Sequence, residues 1–194
     1  MIRMIQPSDY TSQVGSIICG FGPMFASKTT WAIMQAKREQ LVGKVLIFKH
    51  GSDTRYTECE ELMTHDNQTI KCFSVDSHEH IMDVLRKQVS VTAVIIDECQ
   101  FFEPALANVV TQLADEFKIR VYCVGLDLTF ERKPWPTTAA LMPISDDVQK
   151  LKAMCMVCKK RGAMFSKRIS DVTELKHVSG EEDYTAVCRN CFNA

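Results

Sequence analysis

The sequence predicts an α/β protein, a mostly parallel sheet with helices on both faces, followed by a small cysteine-bearing lobe. Three observations predict it. Five short apolar runs alternate with helical stretches, a glycine-led loop joins the first run to the first helix, and after about Leu151 the chain turns helix-poor between two pairs of cysteines. The apolar runs are SIIC (16–19), KVLIFK (44–49), IKCFSV (70–75), TAVIID (92–97) and IRVYCVG (119–125). Each is bounded by turn residues and reads as a strand buried on both faces. Helical stretches follow the first run (TTWAIMQAKREQL), the third (SHEHIMDVLRKQV) and the fourth (PALANVVTQLADEF), the last with Pro104 at a favoured early helical position. Such alternation calls for a parallel sheet covered on both sides. The expected division is a main domain over residues 1–150 and a lobe over 151–194.

Composition narrows the partner. With 194 residues and 46% hydrophobic content, the chain can build one good-sized core and a small appendage. Lys plus Arg (23) nearly cancels Asp plus Glu (24), so there is no broad electrostatic footprint for nucleic acid or a membrane surface. A small-molecule partner fits better. The opening MIRMIQPSDYTSQVG has neither a long apolar segment nor a small-residue cleavage site, and no run approaches the roughly 20 apolar residues of a membrane span. A soluble, cytoplasmic protein is expected. Of the nine cysteines, Cys19, Cys72, Cys99 and Cys123 lie in or beside apolar runs and read as small hydrophobes.

The loop after the first run carries the chemistry. Gly22, Pro23, Met24, Phe25, Ala26, Ser27, Lys28 and Thr29 follow G-x-x-x-x-G-K-[ST], with Ser27 in place of the second glycine. Between a buried strand and a helix, such a loop turns backbone N–H groups and a helix N-terminus toward phosphate oxygens. Lys28 would meet the β and γ phosphates, and the Thr29 hydroxyl would reach Mg²⁺. The position of Ser27 often needs a positive φ, which costs a non-glycine residue on the order of 1 to 3 kcal/mol. Placed wholly on nucleotide binding, that is a loss of roughly 5- to 150-fold, a handicap and not an abolition. Downstream, TAVIIDECQFFEP ends an apolar run in two carboxylates. Asp97, at a strand end beside the loop, suits Mg²⁺, while Glu98 points elsewhere. Glu98 could polarise a water, as in ATPases, or accept a proton from a substrate hydroxyl, as in kinases.

Cys155, Cys158, Cys188 and Cys191 make C-x2-C-x29-C-x2-C, two knuckles suited to placing four thiolates around one Zn²⁺. The gap of 29 residues is longer than the simplest ribbons need, so the loop should have its own job.

Taken together, GPMFASKTT, SDTRYTE with THD after it, VIIDECQFF, GLDLTFERKPW and the knuckles around SGEEDYTAVCRNC resemble the type II thymidine kinases, the cytosolic and poxvirus-like group. The motifs occur in family order from about Gly15 to Phe192. The resemblance implies a P-loop (RecA-like) domain with a zinc-binding lasso lobe. It implies transfer of the γ-phosphate of ATP to the 5′-hydroxyl of thymidine, with catalytic Mg²⁺ and structural zinc. Carried over by position, Glu98 is the catalytic base, Asp53 joins Thr29 at Mg²⁺, and Arg55 with Lys28 lies near the reacting phosphate. Thr30, Asp97 and Gln100 belong with the loop on the nucleotide side. Met24, Phe101, Leu126, Phe130 and Trp135 match the nucleoside wall, and Ser166, Val178, Gly180 and Tyr184 match lasso contacts. A homotetramer inhibited by thymidine triphosphate is also a family expectation. The sequence departs from the family's pattern at Ser27, at Trp31 where glutamate is usual, at Cys99 where glycine is common, and in HVSGEED, which retains only Gly180 of two adjacent glycines.

Three other readings share part of the pattern: a catalytically impaired homologue on account of Ser27, a nucleic-acid-stimulated ATPase, and a zinc-ribbon interaction module. The near-neutral charge speaks against the ATPase, and the module leaves the phosphate loop and carboxylates unexplained.

Overall fold

The computed structural model describes residues 14–52, 61–63, 69–170 and 183–194. Its centre is a six-stranded, all-parallel sheet built from β1 (Ser16–Phe21), β2 (Lys44–His50), β5 (Phe73–Val75), β6 (Val91–Asp97), β7 (Arg120–Gly125) and β8 (Asp147–Lys150). The spatial order is β5-β2-β6-β7-β1-β8. Helix α1 (Lys28–Glu39) covers one face, where Ala32, Ile33 and Ala36 pack on Ile47, Ile95, Tyr122 and Val124. Helices α2 (His78–Arg86) and α3 (Leu106–Asp115) cover the other, where Ile81, Leu106, Val110 and Leu113 meet Phe48, Ile96, Val121 and Cys123. Successive strand residues thus feed opposite cores, which is why the runs are apolar throughout. The α/β class read from the sequence is the observed one.

Several elements differ from the reading. IKCFSV is two strands: β4 (Thr69–Lys71) pairs antiparallel with β3 (Glu61–Met63), and only β5 joins the sheet. As an edge strand, β5 engages β2 for three residues, which leaves the preceding backbone to pair elsewhere. Strand β8 escaped notice because Asp147, Gln149 and Lys150 leave it no apolar period, and its side chains are all exposed. Helix α4 (Pro136–Leu141), opened by Pro136 at its first position, is too short for periodicity to reveal. Pro104 lies in the turn before α3 and not in the helix, with the Leu106 N–H donating to the Glu103 carbonyl at 2.9 Å. No described helix is long and apolar enough to cross a membrane.

Beyond β8 come two antiparallel pairs: β9 (Ala153–Met154) with β10 (Arg161–Ala163), and β11 (Phe165–Arg168) with β12 (Tyr184–Val187). A short helix, α5 (Arg189–Asn193), follows Cys188, where no helix was expected; at five residues it is below what the sequence pattern can register. The lobe's small core, with Cys155, Phe165 and Val187, also takes in Ala26 from the phosphate loop.

A polar cluster is buried between α1 and β7. Glu39, 5% exposed at the end of α1, accepts from the Tyr122 hydroxyl at 2.6 Å and pairs with Arg120 at 3.1 Å. Burial, followed by Glu39 itself, raises the Tyr122 phenol above its ordinary value, so the hydroxyl stays a donor. Glu39→Ala removes the acceptor of the buried Tyr122 hydroxyl and the ion pair with Arg120 and should cost about 3 kcal/mol in urea unfolding, whereas Glu39→Gln, which keeps an acceptor, should cost about 1 to 2 kcal/mol.

Candidate active site

In a parallel sheet every strand ends on the same rim, and ligand sites gather there. The loop after β1, His50 ending β2, Asp97 and Glu98 ending β6, and Gly125 with Leu126 ending β7 all lie on this rim. Strand β7 separates β1 from β6, so Asp97 does not sit on a strand next to the loop's own. It reaches the loop through a hydrogen bond from the Thr29 hydroxyl instead.

The loop owes its shape to two left-handed residues, Phe25 (φ 65°) and Ser27 (φ 55°, ψ 34°), both non-glycine. Alternating backbone hands turn successive N–H groups to one side, the anion-binding arrangement called a nest. The Ser27 carbonyl starts α1 by accepting the Trp31 N–H at 2.9 Å. Gly22 is needed for close approach: a Cβ there would lie 2.4 Å from the Leu151 carbonyl oxygen. Lys28 folds across the loop, its ammonium donating to the Pro23 carbonyl at 2.9 Å, and the Met24 N–H donates to the Ser166 hydroxyl at 2.9 Å. Thr30 is half-buried in the first turn of α1.

The Thr29 hydroxyl donates to Asp97 Oδ2 at 3.0 Å, and the Glu98 N–H donates to Oδ1 at 2.9 Å. Asp97 is 1% exposed. Burial, reinforced by the neighbouring Glu98 charge, pushes its carboxyl up to about 7 against these two donors and Lys28. Glu98 is left-handed at φ 51° and buried. Its Oε2 accepts from the Gln100 amide at 2.5 Å, while Gln100 Oε1 accepts the Leu126 N–H at 2.9 Å. Gly125 leaves room for this bridge, since a Cβ there would fall 2.4 Å from Gln100 Oε1. Gln100, expected on the nucleotide side, here ties Glu98 to β7. Cys99 is fully buried, and burial raises its thiol well above the ordinary value, so it acts as packing.

Aromatic residues continue the rim. Phe101 meets Trp135 edge-on at 6.0 Å between centroids, and the His50 ring lies 6.0 Å from Phe101 and 4.6 Å from Phe102. His50 Nδ1 accepts the Ser52 N–H at 3.0 Å. Leu126 and Phe130 are half-buried. Ser166 and Tyr184 are buried at the lobe's edge, with Arg168 donating to the Tyr184 hydroxyl at 3.1 Å. Asp53, Arg55, Val178 and Gly180 lie outside the described residues. The sequence reading missed His50, Arg168 and an ion pair between Lys150 and the buried Asp127. Single residues at strand ends carry no pattern, and their partners are set by register.

The four knuckle sulfurs lie within 4.8 Å of one another, with Cys158 Sγ and Cys188 Sγ 3.9 Å apart. A tetrahedron with Zn–S bonds of about 2.3 Å has edges of about 3.8 Å, so the cluster fits zinc. Backbone N–H groups, first that of Cys158, lower the Cys155 thiol to about 6, while the hydrogen bond with Cys188, then burial and the other thiols, push Cys191 up to about 12. A cation at the centre would let all four sulfurs bind as thiolates.

The family model described as thymidine kinase matches residues 15–192. The chain belongs to the thymidine kinase family. It is 38% identical over 184 residues to the thymidine kinase of myxoma virus (strain Lausanne), an alignment covering 94% of this chain and 97% of the relative. It is 37% identical over 188 residues to thymidine kinase 1 of Dictyostelium discoideum, covering 95% and 80%. The thymidine kinase of Pseudothermotoga lettingae is 34% identical over 182 residues, covering 92% and 95%. Membership in the thymidine kinase family therefore extends over the lobe as well as the sheet domain.

The elevated Asp97 value has a measurable consequence. An acid at about 7 folded and about 3.8 unfolded binds more protons folded between those values. The stability it contributes is present in full below about pH 4 and is lost as pH rises through about 7, on the order of 3 to 4 kcal/mol for so buried a group. With zinc bound and no added magnesium, Asp97→Asn should remove the part of that decline that falls between pH 5 and 8, about 2 to 3 kcal/mol, followed by denaturant unfolding. Equal slopes in both proteins would contradict it.

Proposed function

We propose that this chain transfers the γ-phosphate of ATP to the 5′-hydroxyl of thymidine, and to deoxyuridine, giving the 5′-monophosphate. The observation that carries the reading is the hydrogen-bonded line from Thr29 through Asp97 to Glu98 and Gln100, which sets two carboxylates beside a phosphate loop. One of them meets the helix start and the other the rim.

In this reading the loop N–H groups and Lys28 hold the triphosphate, with the Lys28 ammonium turning from the Pro23 carbonyl to β and γ oxygens. Thr29 and Asp97, with Asp53, would hold Mg²⁺, which supplies charge neutralisation when bound. A cation held there would favour the ionised form of Asp97, whose carboxyl lies near neutrality without it. Glu98 accepts the proton of the nucleoside 5′-hydroxyl as its oxygen bonds to the γ phosphorus, while the bond to the β-bridging oxygen breaks and ADP leaves. Gln100 fixes the rotamer of that carboxylate. Arg55 stands with Lys28 near the transferring group. Phe101 and Trp135 line the nucleoside site with Met24, Leu126 and Phe130. Zinc on the four cysteines anchors the lobe that brings Ser166, Val178, Gly180 and Tyr184 to the base. Inhibition by thymidine triphosphate, homotetramer assembly and a cytoplasmic location belong to the same reading.

Thymidine 5′-phosphate formation with ATP and thymidine varied separately is the test. Glu98→Gln should lower kcat by about 10² to 10⁴ with little change in either KM. In Ser27→Gly, relief of the left-handed strain and the added chain entropy of glycine are each about 1 kcal/mol, so the ATP KM should shift by less than about tenfold. Activity only in the glycine variant would mean that Ser27 disables the enzyme. Silence from both, with zinc bound, would overturn the kinase. Cys188→Ser should lose zinc and raise the thymidine KM more than the ATP KM, and unchanged constants would contradict the anchoring role.

A further inference from the structure

Where β11 and β12 end their pairing, one side chain joins the lobe to the sheet domain. Arg168, the last residue of β11, is in register with Tyr184, the first of β12, and the Ile169 N–H donates to the Asp183 carbonyl at 2.8 Å just beyond. Its guanidinium carbon lies 3.9 Å from the Phe130 ring centroid and 5.0 Å from that of Tyr184. Nε donates to the Tyr184 hydroxyl at 3.1 Å, and Nη2 contacts the same oxygen. Phe130 belongs to the loop after β7, which is closed by the Thr129 N–H on the Lys133 carbonyl at 2.8 Å. The junction is reciprocal: from that loop Arg132 lies 4.6 Å over Phe192 and donates to Asn193 Oδ1 at 3.1 Å. Each side thus supplies one arginine and one phenylalanine.

We propose that Arg168 is a positioning residue of the nucleoside site, fixing Phe130 and Tyr184 relative to each other across the junction of lobe and sheet domain. The proposal rests on the thymidine kinase reading for the role of those two residues, but not for the clamp itself. A face of Phe130 covered by a guanidinium is held in one orientation, and the planar cation that covers it is fixed in turn by the Tyr184 hydroxyl. Lysine cannot reproduce this, because an ammonium has no plane to stack and no fork to engage the phenol. Zinc on the four cysteines would hold the lobe together from within, whereas Arg168 sets where the lobe sits on the loop after β7.

The test compares Arg168→Ala, Arg168→Lys, Phe130→Ala and the double variant Arg168→Ala with Phe130→Ala, at matched zinc content. Both Arg168 variants should raise the thymidine KM about tenfold, or about 1.4 kcal/mol, with the ATP KM within about twofold. The double variant should be no worse than the poorer single, because each change removes the same contact. A parallel rise in both constants, an unchanged thymidine KM, or additive losses would overturn the proposal. Hydrogen exchange at the Ile169 amide gives a readout independent of turnover: it should quicken in Arg168→Ala, and unchanged exchange would also overturn the clamp. A parent chain that makes no thymidine 5′-phosphate would sink the kinase reading alone, since the exchange comparison stands without it.

Discussion

A carboxylate buried at the end of a central strand has to find donors, and Asp97 finds them in the Thr29 hydroxyl and the Glu98 N–H. Much of the rim follows from that requirement. Because β7 intervenes between β1 and β6, the first bond can form only if α1 starts with Thr29 turned toward the sheet centre. Starting the helix there forces the loop before it to reverse within a few residues, which it does through left-handed Phe25 and Ser27. The second bond holds Glu98 in a left-handed turn and swings its side chain to Gln100. A desolvated acid thus organises both the phosphate loop and the candidate base.

The lobe is less separate than its composition suggests. Forty-odd residues cannot bury enough apolar surface to fold alone, and the cysteine cluster compensates only in part. The lobe also borrows: Ala26 enters its core, and Ser166 holds the Met24 N–H. Gly22 has no room for a side chain because Leu151 runs directly against it. The phosphate loop is therefore built by both parts of the chain, and what loosens the lobe reaches Met24.

What could be read from sequence divides along a physical line. Strands β1, β2, β6 and β7 were legible because burial on both faces writes itself as a continuous apolar run. The four cysteines were legible because a metal imposes fixed spacing. Strand β8 and helix α4 were not, one for want of apolar residues and the other of length. Within the site, Thr29, Asp97 and Glu98 stood out because the loop and strand end define them locally. The Gln100 bridge to Leu126 and the Arg168 contact with Phe130 depend on how distant strands align, and no local pattern encodes that.

Ser27 belongs in this context. Among the described residues, non-glycine positive φ also occurs at Ser90 and Lys118, turns that lead into β6 and β7, and at Lys159 between the knuckles. Phe25, Ser27 and Glu98 differ in that all three border the phosphate loop or the carboxylates, and Arg132 borders the lobe junction. A cost on the order of 1 kcal/mol or more at each persists only where surrounding bonds over-determine the conformation. Around Ser27 those bonds are the Trp31 N–H on its carbonyl and Thr29 on Asp97, neither of which involves its side chain. Serine at this position therefore adds strain without removing any contact that shapes the loop, and the rim keeps its geometry with the second glycine gone.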